Sequence, residues 1–109
     1  MYPQVAIIIL NWNNPEDTLA CLQSMAMLDY AAATTFVVDN GSSDDSVIRI
    51  YSVYPDIEVI ETGTNLGYAE GNNVGIRHAL ALQPDYICIL NNDTEVAADF
   101  LSQLVAEAE

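Results

Sequence analysis

The sequence predicts a single α/β domain in which a mainly parallel sheet is flanked by helices. Short apolar runs typical of strands alternate along the chain with stretches whose apolar residues recur at helical spacing. The first run, VAIIIL, does not alternate with polar residues, as expected of a parallel strand that is buried on both faces. The length of 109 residues leaves room for one such domain with one core.

Four strands are predicted from these runs, and a helix follows each of them. The strands are expected at residues 5–10, 35–38, 57–61 and 86–90. The first helix is expected to begin after Asn14, an N-cap residue that is followed by Pro15 and two acidic residues. Its inward face should carry Leu19, Leu22 and either Met25 or Ala26.

The other three helices are predicted by the same signals. The second should begin near the cap residue Ser43, ahead of two acidic residues, and end before Pro55. The third should cover about residues 69–82 and the fourth about residues 97–106. The expected inward faces are Val47, Ile50, Tyr51 and Tyr54 on the second helix, and Phe100, Leu101, Leu104 and Val105 on the fourth.

The charge of the chain limits its partners. Sixteen acidic residues stand against two arginines and no lysine, which gives a net charge of -14. Such a surface repels nucleic acid and anionic membranes, and an anionic ligand would need a cation to accompany it. The longest apolar run is too short to cross a bilayer and lacks the flanks of a signal peptide. We therefore expect a cytoplasmic protein, with the inner face of a membrane as a further location.

Polar clusters follow all four predicted strands. They are NWNN after Leu10, DNGSSDD after Val38, TGTNLGYAEGNN at residues 62–73 and NNDTE after Leu90. The carboxyl ends of parallel strands meet at one edge of a sheet, where ligands bind in open α/β folds. Each cluster also has a purely structural interpretation, because NWNN and DNGSSDD suit turns and helix caps and the third suits a flexible loop.

Asn73 is a candidate for a ligand contact within the third cluster. It lies three and seven residues before Ile76 and Leu80, on the face of the third helix that should pack inward. A buried amide without hydrogen-bond partners destabilises a fold by about 1–3 kcal/mol. We therefore expect Asn73 to bind either a ligand or the backbone of the neighbouring loop.

The fourth cluster predicts a metal site. Asp93, with Asn91 and Asn92 beside it, offers oxygen ligands at a strand end. One carboxylate with amide oxygens cannot enclose a divalent cation, but it can hold Mg²⁺ or Mn²⁺ that is shared with the phosphates of a ligand. Such an ion would also neutralise an anionic ligand in this acidic chain. The sequence contains neither a P-loop nor the dinucleotide-binding glycine pattern nor a nucleophile elbow.

Four motifs in order give the chain a specific resemblance. VAIIILNWNN, VVDNGSSDDS, NLGYAEGNNVGI and YICILNNDTE resemble the N-terminal, donor-binding half of a family 2 glycosyltransferase with the Rossmann-like GT-A fold. Within that family the chain is most similar to the rhamnosyltransferase-like members. The resemblance covers nearly all of residues 1–109, which implies that the acceptor-binding half of such an enzyme is absent from this sequence.

The resemblance implies inverting transfer of a sugar from a UDP- or dTDP-sugar to an acceptor hydroxyl, assisted by Mg²⁺ or Mn²⁺. The acceptor would be a glycan or a lipid-linked sugar, in the synthesis of a cell-surface polysaccharide. The catalytic base of the family lies beyond the metal motif, and so it is expected beyond Glu109. The 109-residue chain should then be inactive by itself.

The resemblance also assigns the donor site by motif. The end of the first strand would line the nucleoside pocket, the Asp-Asn pair would read the base through one or the other residue, and the glycine-rich cluster would border the ribose, diphosphate and sugar. Asn91 replaces the first aspartate of the family's metal motif, Asn92 would lie near the ribose, and Asp93 would bind the metal. The implied donor-binding residues are Leu10, Asn11, Asn13, Asp39, Asn40, Asn65, Gly67, Asn73, Asn91 and Asn92.

Two other functions are compatible with the sequence. A non-catalytic nucleotide-binding or assembly module would act through a partner chain, and homodimer formation would cover apolar surface left open by the missing half. A sugar nucleotidyltransferase is disfavoured, because NWNNPED lacks the basic residues expected in its N-terminal loop.

Overall fold

The computed structural model describes residues 2–109, in which strands and helices alternate from end to end. The first half contains β1 (Val5–Asn11), α1 (Pro15–Met25), β2 (Ala33–Asp39) and α2 (Ser46–Val53). The second half contains β3 (Glu58–Glu61), α3 (Tyr68–Leu80), β4 (Tyr86–Asn91) and α4 (Phe100–Ala108). None of the helices within residues 2–109 is long and apolar enough to cross a bilayer.

The strands form one parallel sheet in the order β3-β2-β1-β4. The register places Asn11 beside Asp39 and Leu10 beside Asn91. Asp39 in turn lies beside Glu61. The predicted α/β fold with a parallel sheet is therefore confirmed, and the register brings the carboxyl ends of all four strands to one edge.

Helices cover both faces of this sheet. Val5, Ile7 and Ile9 of β1 face the core that includes residues of α1, α2 and α4. Ala6 and Ile8 face the second core, which includes Ala79 of α3. Every residue from 5 to 9 is at most 3% exposed. An uninterrupted apolar run is thus what a strand covered on both sides requires.

Helix α3 packs closely on the sheet because glycine forms its contact face. A Cβ atom on Gly75 would lie 2.7 Å from Ile8 Cγ2 and 2.8 Å from Val38 Cγ2. One turn earlier, a Cβ atom on Gly71 would lie 2.8 Å from Leu10 Cδ1. The start of α3 therefore lies directly against the ends of β1 and β2.

The start of α1 matches the sequence prediction, but the start of α2 does not. Asn14 accepts a hydrogen bond from the backbone N–H of Asp17, and Pro15 follows at the first helical position. Ser43 is not the cap of α2, because Asp45 holds that position, and the Ser43 backbone N–H donates to Asn13 Oδ1 over 2.8 Å. The helix begins at Ser46, whose N–H donates to the Asp44 carboxylate over 3.0 Å.

Two predicted inward faces are also wrong in part. On α2, Ile50 is fully buried, but Tyr51 is 39% exposed. On α4, Leu101 and Val105 are buried, but Leu104 is 45% exposed. Both helices lie on one side of the sheet, so only the residues pointing directly at it are covered.

Candidate functional site

A cleft of about 260 Å³ opens at the carboxyl edge of the sheet. It lies where the end of β1, the start of α3 and the end of β4 come together. Its wall is mixed, with apolar, aromatic, amide and carboxylate groups. The lining residues are Leu10, Trp12, Asn14, Tyr68, Asn91, Asn92 and Asp93.

Behind the cleft, Asn11 and Asp39 form a buried polar pair. Asn11 is 0% exposed and Asp39 is 3% exposed. Asn11 Nδ2 donates to Asp39 Oδ1 over 3.0 Å, and Asn11 Oδ1 accepts from the Thr18 hydroxyl over 2.6 Å. The side-chain amide of Asn11 thus has partners on both its nitrogen and its oxygen, and it joins the end of β1 to β2 and α1.

The carboxylate of Asp39 also organises the loop that follows β2. Its Oδ2 accepts the backbone N–H of Ser42 over 3.0 Å, and its Oδ1 accepts the Ser42 hydroxyl over 2.7 Å. The loop is held from its other side by Asn13, which has a positive φ of 50° and accepts the backbone N–H of Ser43. Asn11, Asn13 and Asp39 therefore fix the backbone at the edge, which agrees with the structural interpretation of their clusters.

The side chain of Asn40 organises the loop at residues 62–67, much as Asp39 organises the loop after β2. Its side chain is 2% exposed. Its Nδ2 donates to the Gly67 carbonyl oxygen over 3.1 Å and to Asn65 Oδ1 over 3.2 Å. Its Oδ1 accepts from the Thr62 hydroxyl and from the backbone N–H of Leu66, both over 3.1 Å. The 62–67 loop is therefore built around one buried amide.

Asn65 and Gly67 end this loop and begin α3. Asn65 Oδ1 accepts the backbone N–H of Gly67 over 2.8 Å. Gly67 has a φ of 86° and is the N-cap of α3, a conformation that glycine adopts without strain. The two predicted residues thus lie next to the cleft through Tyr68, the first residue of the helix.

At the end of β4, two side-chain amides are hydrogen-bonded to other side chains and one carboxylate is exposed. Asn91 Oδ1 accepts from the Tyr68 hydroxyl over 2.9 Å. Asn92 Nδ2 donates to the Thr18 hydroxyl over 3.1 Å. Asp93 is exposed and lines the cleft. The structure thus places these three residues and Leu10 around one cleft, and their binding of a donor stays a prediction.

The predicted burial of Asn73 is wrong. Asn73 is exposed, and its Nδ2 donates to Glu70 Oε1 over 3.2 Å. The buried amide is its neighbour Asn72, which is 3% exposed and has no hydrogen-bond partner within residues 2–109 for either Nδ2 or Oδ1. The glycine face of α3 sets its orientation, so the inward position falls one residue earlier than the apolar spacing suggests. A donor contact by Asn73 stays a prediction.

Sequence reasoning missed the two aromatic residues of the cleft. Trp12 is 51% exposed and Tyr68 is 59% exposed, although both are large aromatic side chains. Exposed aromatic rings at a cleft offer stacking surfaces to a planar or sugar ring. The sequence contains a signal for both residues, because Trp12 lies among the amides of NWNN and Tyr68 follows the glycine that caps α3.

The donor set of the cleft fits a cation that a ligand helps to hold. Asp93 is the one carboxylate among the described lining residues. Within residues 2–109, no three His, Cys, Asp or Glu side chains are grouped closely enough to bind a metal by themselves. One carboxylate with amide oxygens suits Mg²⁺ or Mn²⁺ when phosphate oxygens complete the coordination.

None of the described residues that line the cleft carries a positive charge. Of the two arginines in the chain, Arg49 pairs with Glu16 at 2.7 Å between α2 and α1. Arg77 lies in the last turn of α3, about 14 Å along the helix from Tyr68. Burial, followed in size by the effect of the carboxylates of Asp93 and Glu95, raises the pKa of the nearby Cys21 thiol to about 11. An anionic ligand in this cleft would therefore meet no positively charged side chain among the described lining residues.

Known proteins resemble the chain along almost its whole length. The family model for glycosyl transferase family 2 matches residues 6–109. The low-salt glycan biosynthesis hexosyltransferase Agl10 of Haloferax volcanii is 33% identical over 105 residues, which are 95% of this chain and 32% of that protein. An N-acetylglucosaminyltransferase of Bradyrhizobium diazoefficiens is 34% identical over 109 residues, covering 94% of this chain and 22% of its own length. The chain thus spans about a third or less of these relatives.

The fold is shared with solved glycosyltransferases. The mannosyltransferase PcManGT of Pyrobaculum calidifontis, solved in complex with GDP-Man and Mn²⁺, superimposes with a TM-score of 0.84 at 24% identity. The match covers 96% of this chain and 32% of that one. With the family match over residues 6–109, these similarities show that the chain belongs to glycosyl transferase family 2 and has the GT-A fold.

Proposed function

We propose that the chain is the donor-binding part of an inverting glycosyltransferase that uses a nucleotide-diphospho-sugar and a divalent cation. The observation that carries the proposal is the exposed carboxylate of Asp93 in a cleft that has two exposed aromatic rings and no cationic side chain among its described lining residues. Two similar proteins support a glycosyltransferase function. The Haloferax relative is a hexosyltransferase, and PcManGT was solved with GDP-Man and Mn²⁺.

The geometry supports distinct roles for the residues at the end of β4. Asp93 would hold the cation, which supplies positive charge to the diphosphate as it leaves the sugar. The Asn91 oxygen is engaged by Tyr68, so Asn91 presents its Nδ2 as a donor for phosphate oxygens. The Asn92 nitrogen is engaged by Thr18, so Asn92 presents its Oδ1 as an acceptor for a ribose hydroxyl.

The nucleoside would lie over the carboxyl end of β1, with its base toward the end of β2. Leu10 offers an apolar surface, and Trp12 offers a ring for stacking against the base. Asp39 Oδ2 has one donor, the Ser42 N–H, and retains a lone pair for the imide N–H of uracil or thymine. Asn40, Asn65 and Gly67 would act through the 62–67 loop, and a UDP- or dTDP-sugar is the donor we propose.

Transfer itself would need groups outside this sequence. Inversion requires a base that removes the proton of the acceptor hydroxyl on the face of the sugar opposite the diphosphate. We place that base beyond Glu109, so the chain should bind the donor without transferring the sugar. We further propose a rhamnosyltransferase-like specificity, a glycan or lipid-linked acceptor and a role in surface polysaccharide synthesis. The proposed location is the cytoplasm, at the inner face of a membrane.

A non-catalytic binding or assembly module is the alternative. The outer edge of the sheet favours it, because Leu104 on α4 is 45% exposed and lines an apolar groove of about 190 Å³ between α4 and β4. A partner chain or a second copy would cover such a surface. This alternative predicts association without any requirement for a nucleotide.

Titration with UDP and dTDP, with and without Mn²⁺, tests the proposal. NMR of the isotope-labelled chain should show manganese broadening centred on Asp93 and nucleotide-induced shifts at Leu10, Trp12 and Asp39. Asp93→Ala should weaken binding in the presence of metal by about tenfold or more, while Asp56→Ala, at the opposite edge of the sheet, should not. A folded chain that shows no shifts at millimolar nucleotide would leave the binding-module alternative as the better explanation.

A further inference from the structure

A continuous hydrogen-bonded chain runs behind the cleft from the loop after β2 to the residue next to Asp93. It passes from Ser42 to Asp39, then to Asn11, then to Thr18, and ends at Asn92. The three middle residues are each at most 3% exposed. Thr18 belongs to α1 and lies on neither of the two loops that it connects.

The direction of every bond in this chain follows from one carboxylate. A carboxylate only accepts hydrogen bonds, so Asn11 must turn its Nδ2 toward Asp39. Asn11 Oδ1 then faces Thr18 and accepts the single hydroxyl proton at 2.6 Å. The Thr18 oxygen has only lone pairs left, and therefore the group that meets it from the other side must be a donor.

Asn92 is the residue that meets this constraint. Its Nδ2 lies 3.1 Å from the Thr18 oxygen, which is its one side-chain hydrogen bond within residues 2–109. Its Oδ1 consequently points away from Thr18 and is available at the cleft, which Asn92 lines beside Asp93. Without Thr18, either the nitrogen or the oxygen of this amide could face the ligand.

We propose that Thr18 is a positioning residue of the donor site. Because its hydroxyl donates to Asn11, the Thr18 oxygen can only accept from Asn92 Nδ2. This contact turns the Asn92 side-chain carbonyl oxygen toward the cleft, where it can accept a hydrogen bond from the donor nucleotide. The inference rests on the proposed function for the identity of the ligand. The orientation of Asn92 itself depends only on the chain of hydrogen bonds.

The test compares Thr18→Val, which keeps the shape and removes the hydroxyl, with Thr18→Ser, which keeps the hydroxyl. In the 109-residue chain without nucleotide, the side-chain amide protons of Asn92 should exchange with water about threefold to tenfold faster in Thr18→Val. Thr18→Ser should retain the wild-type exchange rate. UDP with Mg²⁺ should then bind about threefold to tenfold more weakly to Thr18→Val than to Thr18→Ser.

The two measurements separate the inference from the proposed function. If the wild-type chain does not bind UDP while Asn92 responds as expected, the proposed function fails and the positioning role stands. If Thr18→Val and Thr18→Ser alter the Asn92 amide equally, or neither alters it, the positioning role is wrong. If Thr18→Val does not fold, Thr18→Ala removes the same hydroxyl without adding a methyl group, and an unchanged Asn92 amide signal in that variant would overturn the inference.

Discussion

The side-chain amide of Asn40 donates to the carbonyl oxygen of Gly67 over 3.1 Å and so ties the end of β2 to the start of α3. The same amide donates to Asn65 Oδ1 and accepts from the loop through its own oxygen. A residue at this position therefore needs a donor on one side and an acceptor on the other. The asparagine amide offers both.

Asn40→Asp should destabilise the chain. The change replaces the donor with an oxygen that faces the Gly67 carbonyl and Asn65 Oδ1. We expect the free energy of unfolding to fall by about 2 kcal/mol or more in urea denaturation. Asn65→Asp is the matched control, because Asn65 uses only its oxygen as an acceptor and should stay within about 0.5 kcal/mol of wild type. Equal losses in both variants would contradict this account of the loop.

Gly41→Ala should cost more stability than the same change at Gly63. Both glycines have positive φ, 78° and 82°, and alanine there costs about 1–2 kcal/mol. A Cβ atom on Gly41 would also lie 2.5 Å from the backbone carbon of Thr64, whereas a Cβ atom on Gly63 would have no neighbour within 4 Å. We therefore expect Gly41→Ala to lose about 1–3 kcal/mol more, measured by urea denaturation of both variants. Similar losses would mean that the two loops can move apart.

The strands and the edge that carries the cleft could be predicted from the sequence. Apolar runs such as VAIIIL identify strands buried on both faces, and parallel strands must end at the same edge. What an apolar pattern cannot give is the role of each polar residue at that edge. Asn11 and Asp39 look like ligand contacts in the sequence, yet most of their hydrogen-bonding groups are used to join β1, β2 and α1.

The sequence pattern also did not predict the rotation of α3 about its own axis. Ile76 and Leu80 suggest one inward face, but Leu80 is 55% exposed. The face that packs on the sheet consists of Gly71, Gly75 and Ala79, spaced four residues apart. Small residues bring the helix backbone close to the strands, and a pattern that scores only large apolar residues does not register them. The prediction therefore selected Asn73 instead of Asn72.

Asn72→Leu should stabilise the chain. Both polar atoms of the Asn72 side chain are buried without a partner within residues 2–109. An apolar side chain of similar shape removes that desolvation cost, so the free energy of unfolding should rise by about 1 kcal/mol. Asn73→Leu on the exposed side of the same helix is the control and should change it by less than about 0.5 kcal/mol. A loss of stability in Asn72→Leu would indicate that the amide has a bound partner such as water.

Ionisation of the Cys21 thiol should lower the free energy of unfolding at alkaline pH. Burial, with the carboxylates of Asp93 and Glu95, raises the pKa of this thiol from 9.0 to about 11. Between these values the folded chain keeps the proton that the unfolded chain releases, so the contribution of the thiol to stability is lost as the pH rises. From about pH 8 to about pH 10.5, the free energy of unfolding of the wild type should fall by on the order of 1–2 kcal/mol more than that of Cys21→Ala. Parallel curves for the two proteins would contradict the shift.

The fluorescence of Trp12 should report nucleotide binding. Trp12 is the single tryptophan of the chain, is 51% exposed and lines the cleft with Asp93. A base that stacks on the indole should quench its emission, and the quenching should require Mn²⁺ or Mg²⁺ because the cleft has no arginine or lysine among its described lining residues. Mg²⁺ serves for the titration because it does not quench by itself.

Replacing the ring tests whether stacking contributes to affinity. Base–aromatic stacking is worth about 1–3 kcal/mol, so Trp12→Ala should bind UDP about tenfold more weakly in a calorimetric titration with Mg²⁺. Trp12→Phe should retain most of the affinity, because a phenyl ring still offers a stacking face. Tyr51→Ala removes an exposed aromatic residue of α2, away from the cleft, and should leave the affinity unchanged. Equal affinities of Trp12→Ala and the wild type would place the base elsewhere on the carboxyl edge, and Asp39 Oδ2 would then be the next atom to test.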